Sequence, residues 1–84
     1  MNNSVRQMTK VLSNWLYRKV TEKEVKDALV KLDYMYKDGN RYRLTSDGRT
    51  HCEIGGFYRG MKLIYFNDWH ETVISEVRDI IKNN

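Results

Sequence analysis

The 84-residue chain has no proline and a single cysteine, Cys52. Without proline, no position is barred from donating a backbone hydrogen bond, so every boundary must be drawn by caps, turns and glycines. One cysteine excludes an internal disulfide, and a reducing cytoplasm is the expected location. No apolar run approaches the roughly 20 residues that span a bilayer. Residues 1–5, MNNSV, lack the apolar stretch of a signal peptide. The two histidines, His51 and His70, stand at no zinc-site spacing. Among five glycines the only adjacent pair is Gly55-Gly56, which is no phosphate-binding pattern.

What remains is a small aromatic-rich domain. A chain of this length buries only roughly 60% of the surface it exposes when unfolded, so its core depends on large side chains. Ten aromatics, from Trp15 and Tyr17 to Phe66 and Trp69, can supply them. Trp15, Tyr42 and Trp69 are expected in the core. No linker, repeat or low-complexity tract divides residues 1–84, which read as one domain.

The net charge of +4 is unevenly spread. Residues 1–20 carry Arg6, Lys10, Arg18 and Lys19 and no acid, and residues 34–66 carry six bases against three acids. Residues 67–84 carry two bases and four acids. Such asymmetry suits a polyanionic partner on one side of the molecule.

Hydrophobic spacing outlines the elements. Ser4 can cap a first helix whose apolar stripe is Val5, Met8, Val11, Leu12, Trp15 and Leu16, ending near Tyr17. Thr21 and Glu24 form a capping box, and Val25, Ala28, Leu29 and Leu32 give a second amphipathic helix. Two short helices joined by a tight turn read as a helix-turn-helix. After Asp33 the period becomes two. Asp38-Gly39-Asn40 marks a turn, and Tyr34, Tyr36, Tyr42 and Leu44 alternate with Lys37, Arg41 and Arg43, which predicts a hairpin with one apolar and one cationic face. Thr45 can cap a short turn. Residues 50–60 read as a loop loosened by Gly55, Gly56 and Gly60, and Met61 to Phe66 as a third strand against the hairpin. Asn67 or Asp68 is expected to cap a last helix with the stripe Trp69, Val73, Ile74, Val77, Ile80 and Ile81. That stripe suits either packing on the helical core or dimerisation. The expected class is therefore α+β.

Two runs, LVKLDYMYKDGNRYRLTSDGR at residues 29–49 and RGMKLIYFNDW at residues 59–69, resemble the C-terminal domain of phage antirepressor and phage regulatory proteins. The resemblance covers about residues 20–81 and rests on the order of a helix end, a lysine-aspartate-glycine hairpin, a Leu-Thr step and a closing strand. It implies a winged-helix-like fold, with the hairpin as the wing, and a phage or prophage regulatory setting. It implies no reaction and no cofactor. Asp33 stands where the family usually has glycine after the second helix, and the family's domain usually follows a larger N-terminal one.

On this reading the partner is duplex DNA. The second helix offers Lys23, Lys26 and Lys31; the wing offers Lys37, Asn40, Arg41 and Arg43; Arg59 and Lys62 can extend the same surface. The second helix has no Arg, Asn or Gln, the usual readers of base edges, and its Glu22, Glu24 and Asp27 offset its lysines. Binding is thus expected to be phosphate-driven and led by the wing. The alternative is a module that binds a host or phage protein through Tyr17, Tyr36, Tyr58 or the acidic last helix. Monomer and homodimer both remain open. Catalysis is not expected: His51 and Cys52 are the candidate base and nucleophile, but neighbours in extended chain point apart.

Overall fold

A computed structural model describes residues 2–83. The order is β1 (Asn2–Asn3), α1 (Val5–Leu16), α2 (Glu22–Lys31), β2 (Met35–Asp38), β3 (Arg41–Leu44), α3 (Ser46–Thr50), β4 (Cys52–Arg59), β5 (Lys62–His70) and α4 (Glu71–Lys82). The protein is α+β, with a two-stranded hairpin β2–β3 and a separate three-stranded antiparallel sheet ordered β1-β5-β4.

Local chemistry sets the helix ends. The Ser4 hydroxyl accepts from the Gln7 amide while the Gln7 side chain accepts from the Ser4 amide, and Thr21 and Glu24 repeat the arrangement at α2. Each box satisfies two amides that a helix start leaves without partners. The helix α1 stops at Tyr17, which takes the left-handed conformation at φ 53. The Ser13 hydroxyl then accepts from the Val20 amide at 3.0 Å, closing the turn into α2. At the far end of α2, the Tyr34 amide donates to the Leu29 carbonyl and the Asp33 amide to the Val30 carbonyl, both at 3.0 Å. This is a Schellman closure, and Asp33 sits at its left-handed position with φ 64. Asp33 thus holds the conformation that a glycine adopts at lower cost.

The core lies where α1, α2 and α4 meet. Met8 and Leu12 of α1, Val25 and Leu29 of α2, and Val73 and Val77 of α4 are fully enclosed. Each such side chain contributes about 1.5–3 kcal/mol of burial. Trp69 is the largest buried side chain and enters this core from the end of β5. The apolar stripe of α4 is spent here: Ile74 and Ile81 are also buried, and Ile80 packs against the cluster. Packing on the helical core accounts for a face that otherwise suited a dimer.

Several expectations fail. Residues 50–60 are not a loop. Cys52–Arg59 is an eight-residue strand whose register runs from Cys52 opposite Trp69 to Arg59 opposite Lys62. Gly55 is no hinge: a Cβ there would run into the ring of Phe66, so glycine makes room for an aromatic across the ladder. The strand β5 pairs with β4 and β1, not with the β2–β3 hairpin. It also continues through Asn67 and Asp68, so neither caps α4; His70 occupies that position without a side-chain cap bond. Trp15 is not core: it is 47% exposed and lies under the Arg78 guanidinium, 5.1 Å from its ring centre. The β1 pairing of Asn3 with Trp69 had no sequence signal.

Candidate nucleic-acid interface

The hairpin turns on Gly39 and Asn40, with Gly39 at φ 62 and Asp38 opposite Arg41. Its pairing corrects the expected faces. Met35 lies opposite Leu44 and Lys37 opposite Tyr42, while Tyr36 lies opposite Arg43. Paired residues share a face. The inner face is therefore Met35, Lys37, Tyr42 and Leu44, and the outer face is Tyr36, Asp38, Arg41 and Arg43. Tyr36 belongs with the cations, and Lys37 does not. The misreading has a cause: the loop is only Gly39 and Asn40, so Asp38 pairs with Arg41 and even positions of β2 share a face with odd positions of β3.

The base of the hairpin is tied on both sides. The Thr45 amide donates to the Tyr34 carbonyl at 3.1 Å, and the Thr45 hydroxyl donates to the Asp33 carbonyl at 2.6 Å while accepting from the Gly48 amide. Gly48 is buried against this junction, where a Cβ would collide with the Tyr34 backbone. The Tyr34 ring stacks on His51 at 4.3 Å, and its hydroxyl donates to the Glu76 carboxylate of α4, with oxygens at 2.8 and 2.9 Å. Burial, together with that carboxylate, pushes the Tyr34 phenol up to about 12.

The link between α2 and the β2–β3 hairpin is Tyr42. Its hydroxyl donates to Asp27 of α2 at 3.0 Å. Lys26 and Lys37 approach its ring, at 5.5 and 5.8 Å from the centre, within the range of cation–π attraction. Asp27 also accepts from Lys23 at 2.8 Å. Lys23, then Tyr42, hold the Asp27 carboxyl below the usual carboxylate range. Glu24 is held low in the same way by Arg18, at 2.8 Å, besides serving the Thr21 box. Two of the three acids of α2 are thus paired within the molecule; the capping role of Glu24 followed from its spacing to Thr21, whereas the bond of Asp27 to Tyr42 did not.

The nine candidate residues fall into two groups. Lys23, Lys26, Lys31, Lys37, Asn40, Arg41 and Arg43 lie on α2 and the β2–β3 hairpin, which Tyr42 joins. Lys31 and Asn40 are exposed, as is Arg41, and Arg43 is bridged to Asp38 at 2.8 Å. Arg59 and Lys62 are not on this hairpin; they face each other beside the Gly60-Met61 turn of the β4–β5 ribbon. His51 and Cys52 form no dyad. The His51 Nδ1 lies 2.7 Å from the Asp47 carbonyl and 3.0 Å from the Thr50 hydroxyl, and burial pushes the Cys52 thiol up. Among the described residues there is neither a cavity nor a cluster of three His, Cys, Asp or Glu side chains able to hold a metal. Among the described residues no helix is long and apolar enough to cross a membrane. No family model, curated protein or solved structure matches the chain.

Proposed function

We propose that this protein is a DNA-associated regulator of phage or prophage type, a winged-helix-like domain that grips duplex DNA through α2 and the β2–β3 wing. The observation that carries the reading is the Tyr42 junction. It makes one unit of helix and wing, gathers Lys26 and Lys37 around a single ring, and pairs Asp27 with Lys23 and Tyr42. Two of the three acids that seemed to oppose a polyanion, Glu24 and Asp27, are paired with Arg18 and with Lys23 and Tyr42, while Arg41 and Lys31 stand on the exposed surface. With no Arg, Asn or Gln on α2, the contact is to phosphates rather than base edges.

The test is a fluorescence-anisotropy titration with random duplex DNA at two salt concentrations. Each phosphate neutralised contributes a log–log slope of about −0.9. Four phosphates correspond to a loss of roughly 100-fold in affinity between 50 and 200 mM salt. The Arg41→Ala, Arg43→Ala double variant is expected to weaken binding equally across sequences. No binding at low salt, or a double variant that binds like the wild type, removes this reading.

A second reading, occlusion of a host or phage protein, draws on the exposure of Tyr17 and Tyr36. Aromatics are enriched at protein interfaces. An apolar contact of that kind is nearly insensitive to salt, so the same titration against a candidate protein partner separates the two.

A further inference from the structure

The β4–β5 ribbon is the largest part of the molecule that the rest of the chain does not cover. Phe57 and Phe66 are exposed on one face of it, and Ile54, Tyr58, Leu63 and Tyr65 on the other. An isolated two-stranded ribbon is marginal in water, and clustered exposed apolar groups mark a contact surface. Its register says what kind of contact. Glu53 lies directly opposite Asp68, and Arg59 directly opposite Lys62. Like charges facing each other across an antiparallel pair are destabilising, and this ribbon has an acidic pair at its base and a basic pair at its tip.

Alternation places both pairs on one face of the ribbon, together with Phe57, Phe66 and Ile64 between them. The Phe57 and Phe66 rings lie 6.1 Å apart on that face. Six residues separate Glu53 from Arg59, about 20 Å along a strand. The face therefore reads acid, aromatic, base along its length. That pattern is self-complementary under a two-fold axis, the condition for an isologous interface.

We propose that this face is the interface of a homodimer, two ribbons packed face to face with their directions opposed. The aromatic centres meet at the axis. The tip pair Arg59 and Lys62 of each chain lies against the partner's Glu53 and the partner's Asp68, so that basic residues meet acidic ones across the interface. The ribbon is narrow, so the buried area falls below the roughly 1,600 Å² of a standard interface, and a dissociation constant in the micromolar range is expected.

Sedimentation equilibrium tests this with two charge-reversed variants. In Glu53→Lys, Asp68→Lys the base and the tip are both positive; in Arg59→Glu, Lys62→Glu both are negative. All four positions lie on the surface ribbon, and far-UV circular dichroism checks that each variant is folded. The wild type is expected to reach twice its 10.1 kDa chain mass at concentrations of roughly 100 µM, the range set by a micromolar interface. Each variant alone is expected to dissociate at least tenfold more readily, and an equimolar mixture to recover a heterodimer, because each acidic pair then meets a basic one. A wild type that stays monomeric overturns the proposal and leaves the face to another protein. So do variants that dimerise like the wild type, or folded variants whose mixture remains monomeric. None of these outcomes depends on DNA.

Discussion

The β2–β3 hairpin and the β4–β5 ribbon are made of the same parts and are treated in opposite ways by the rest of the chain. Each turns on two residues of which the first is a glycine in the left-handed region, Gly39 at φ 62 and Gly60 at φ 64. The shorter hairpin has four register pairs, and it is held at its base by Thr45, at its flank by Tyr42 and at its root by Tyr34. The longer ribbon has eight register pairs and is held only at its base, where Cys52 and Trp69 enter the core. Length does not decide which ribbon is the more firmly fixed; side-chain ties to the helices do. The ribbon that carries charge is bolted to a helix, and the ribbon that carries apolar surface is left open.

The largest expected effect strikes the root of the short hairpin. Gly48→Ala drives a methyl group into the Tyr34 backbone, which cannot swing aside as a side chain would. A loss of about 3 kcal/mol is expected in urea denaturation; a loss under 1 kcal/mol would show that the root is not rigid. Tyr34→Phe comes next, at about 1.5 kcal/mol for a hydrogen bond to a carboxylate. It also carries a pH signature. The folded phenol ionises only at about 12, against an ordinary value of 10.0. The unfolded chain therefore loses its proton first, and wild-type stability falls as pH rises from about 10 through about 12. The variant is expected to lack that part of the alkaline decline, read from denaturation midpoints of the two proteins side by side.

Smaller changes sharpen the contrast. Tyr42→Phe removes only the hydroxyl that reaches Asp27, for about 1 kcal/mol or less, yet on the proposed DNA-binding reading affinity is expected to fall because the hairpin is no longer registered on α2. Unchanged affinity would separate the hairpin from the helix. Asp33→Gly is expected to stabilise the protein by about 0.5–1 kcal/mol, since glycine relieves the left-handed backbone. Least of all, Tyr58→Ser on the outer ribbon, 74% exposed, should shift the unfolding free energy by no more than about 0.5 kcal/mol. A larger shift would mean the ribbon is folded into the core after all.

What the sequence made legible was whatever a few neighbouring residues decide. The Ser4 and Thr21 caps, the stripe of α2 and the glycine turn at Gly39 are local, and all are found where the spacing put them. The errors arose where a distant partner decides. Gly55 signals freedom until the ring of Phe66, eleven positions on, occupies the space it leaves. Trp69 stands four residues before Val73 and so mimics a helical repeat, though it reaches the same core from a strand. In the candidate site, the cations could be read by type, but the pairing of Asp27 depends on a tyrosine fifteen residues away. The face that Tyr36 shares with Arg43 depends on the loop being two residues long, Gly39 and Asn40, which pairs even positions of one strand with odd positions of the other.

Cys52 gives the molecule a use that its chemistry alone would not suggest. It is the only thiol, it is buried, and it stands at the first position of the long ribbon, opposite Trp69. An alkylating reagent reaches that sulfur only while the ribbon's base is detached from the helices. The ratio of its labelling rate to that of an unfolded control is then the fraction of time the base spends open. A single atom thus works as a clock for the breathing of one strand, readable without adding a probe.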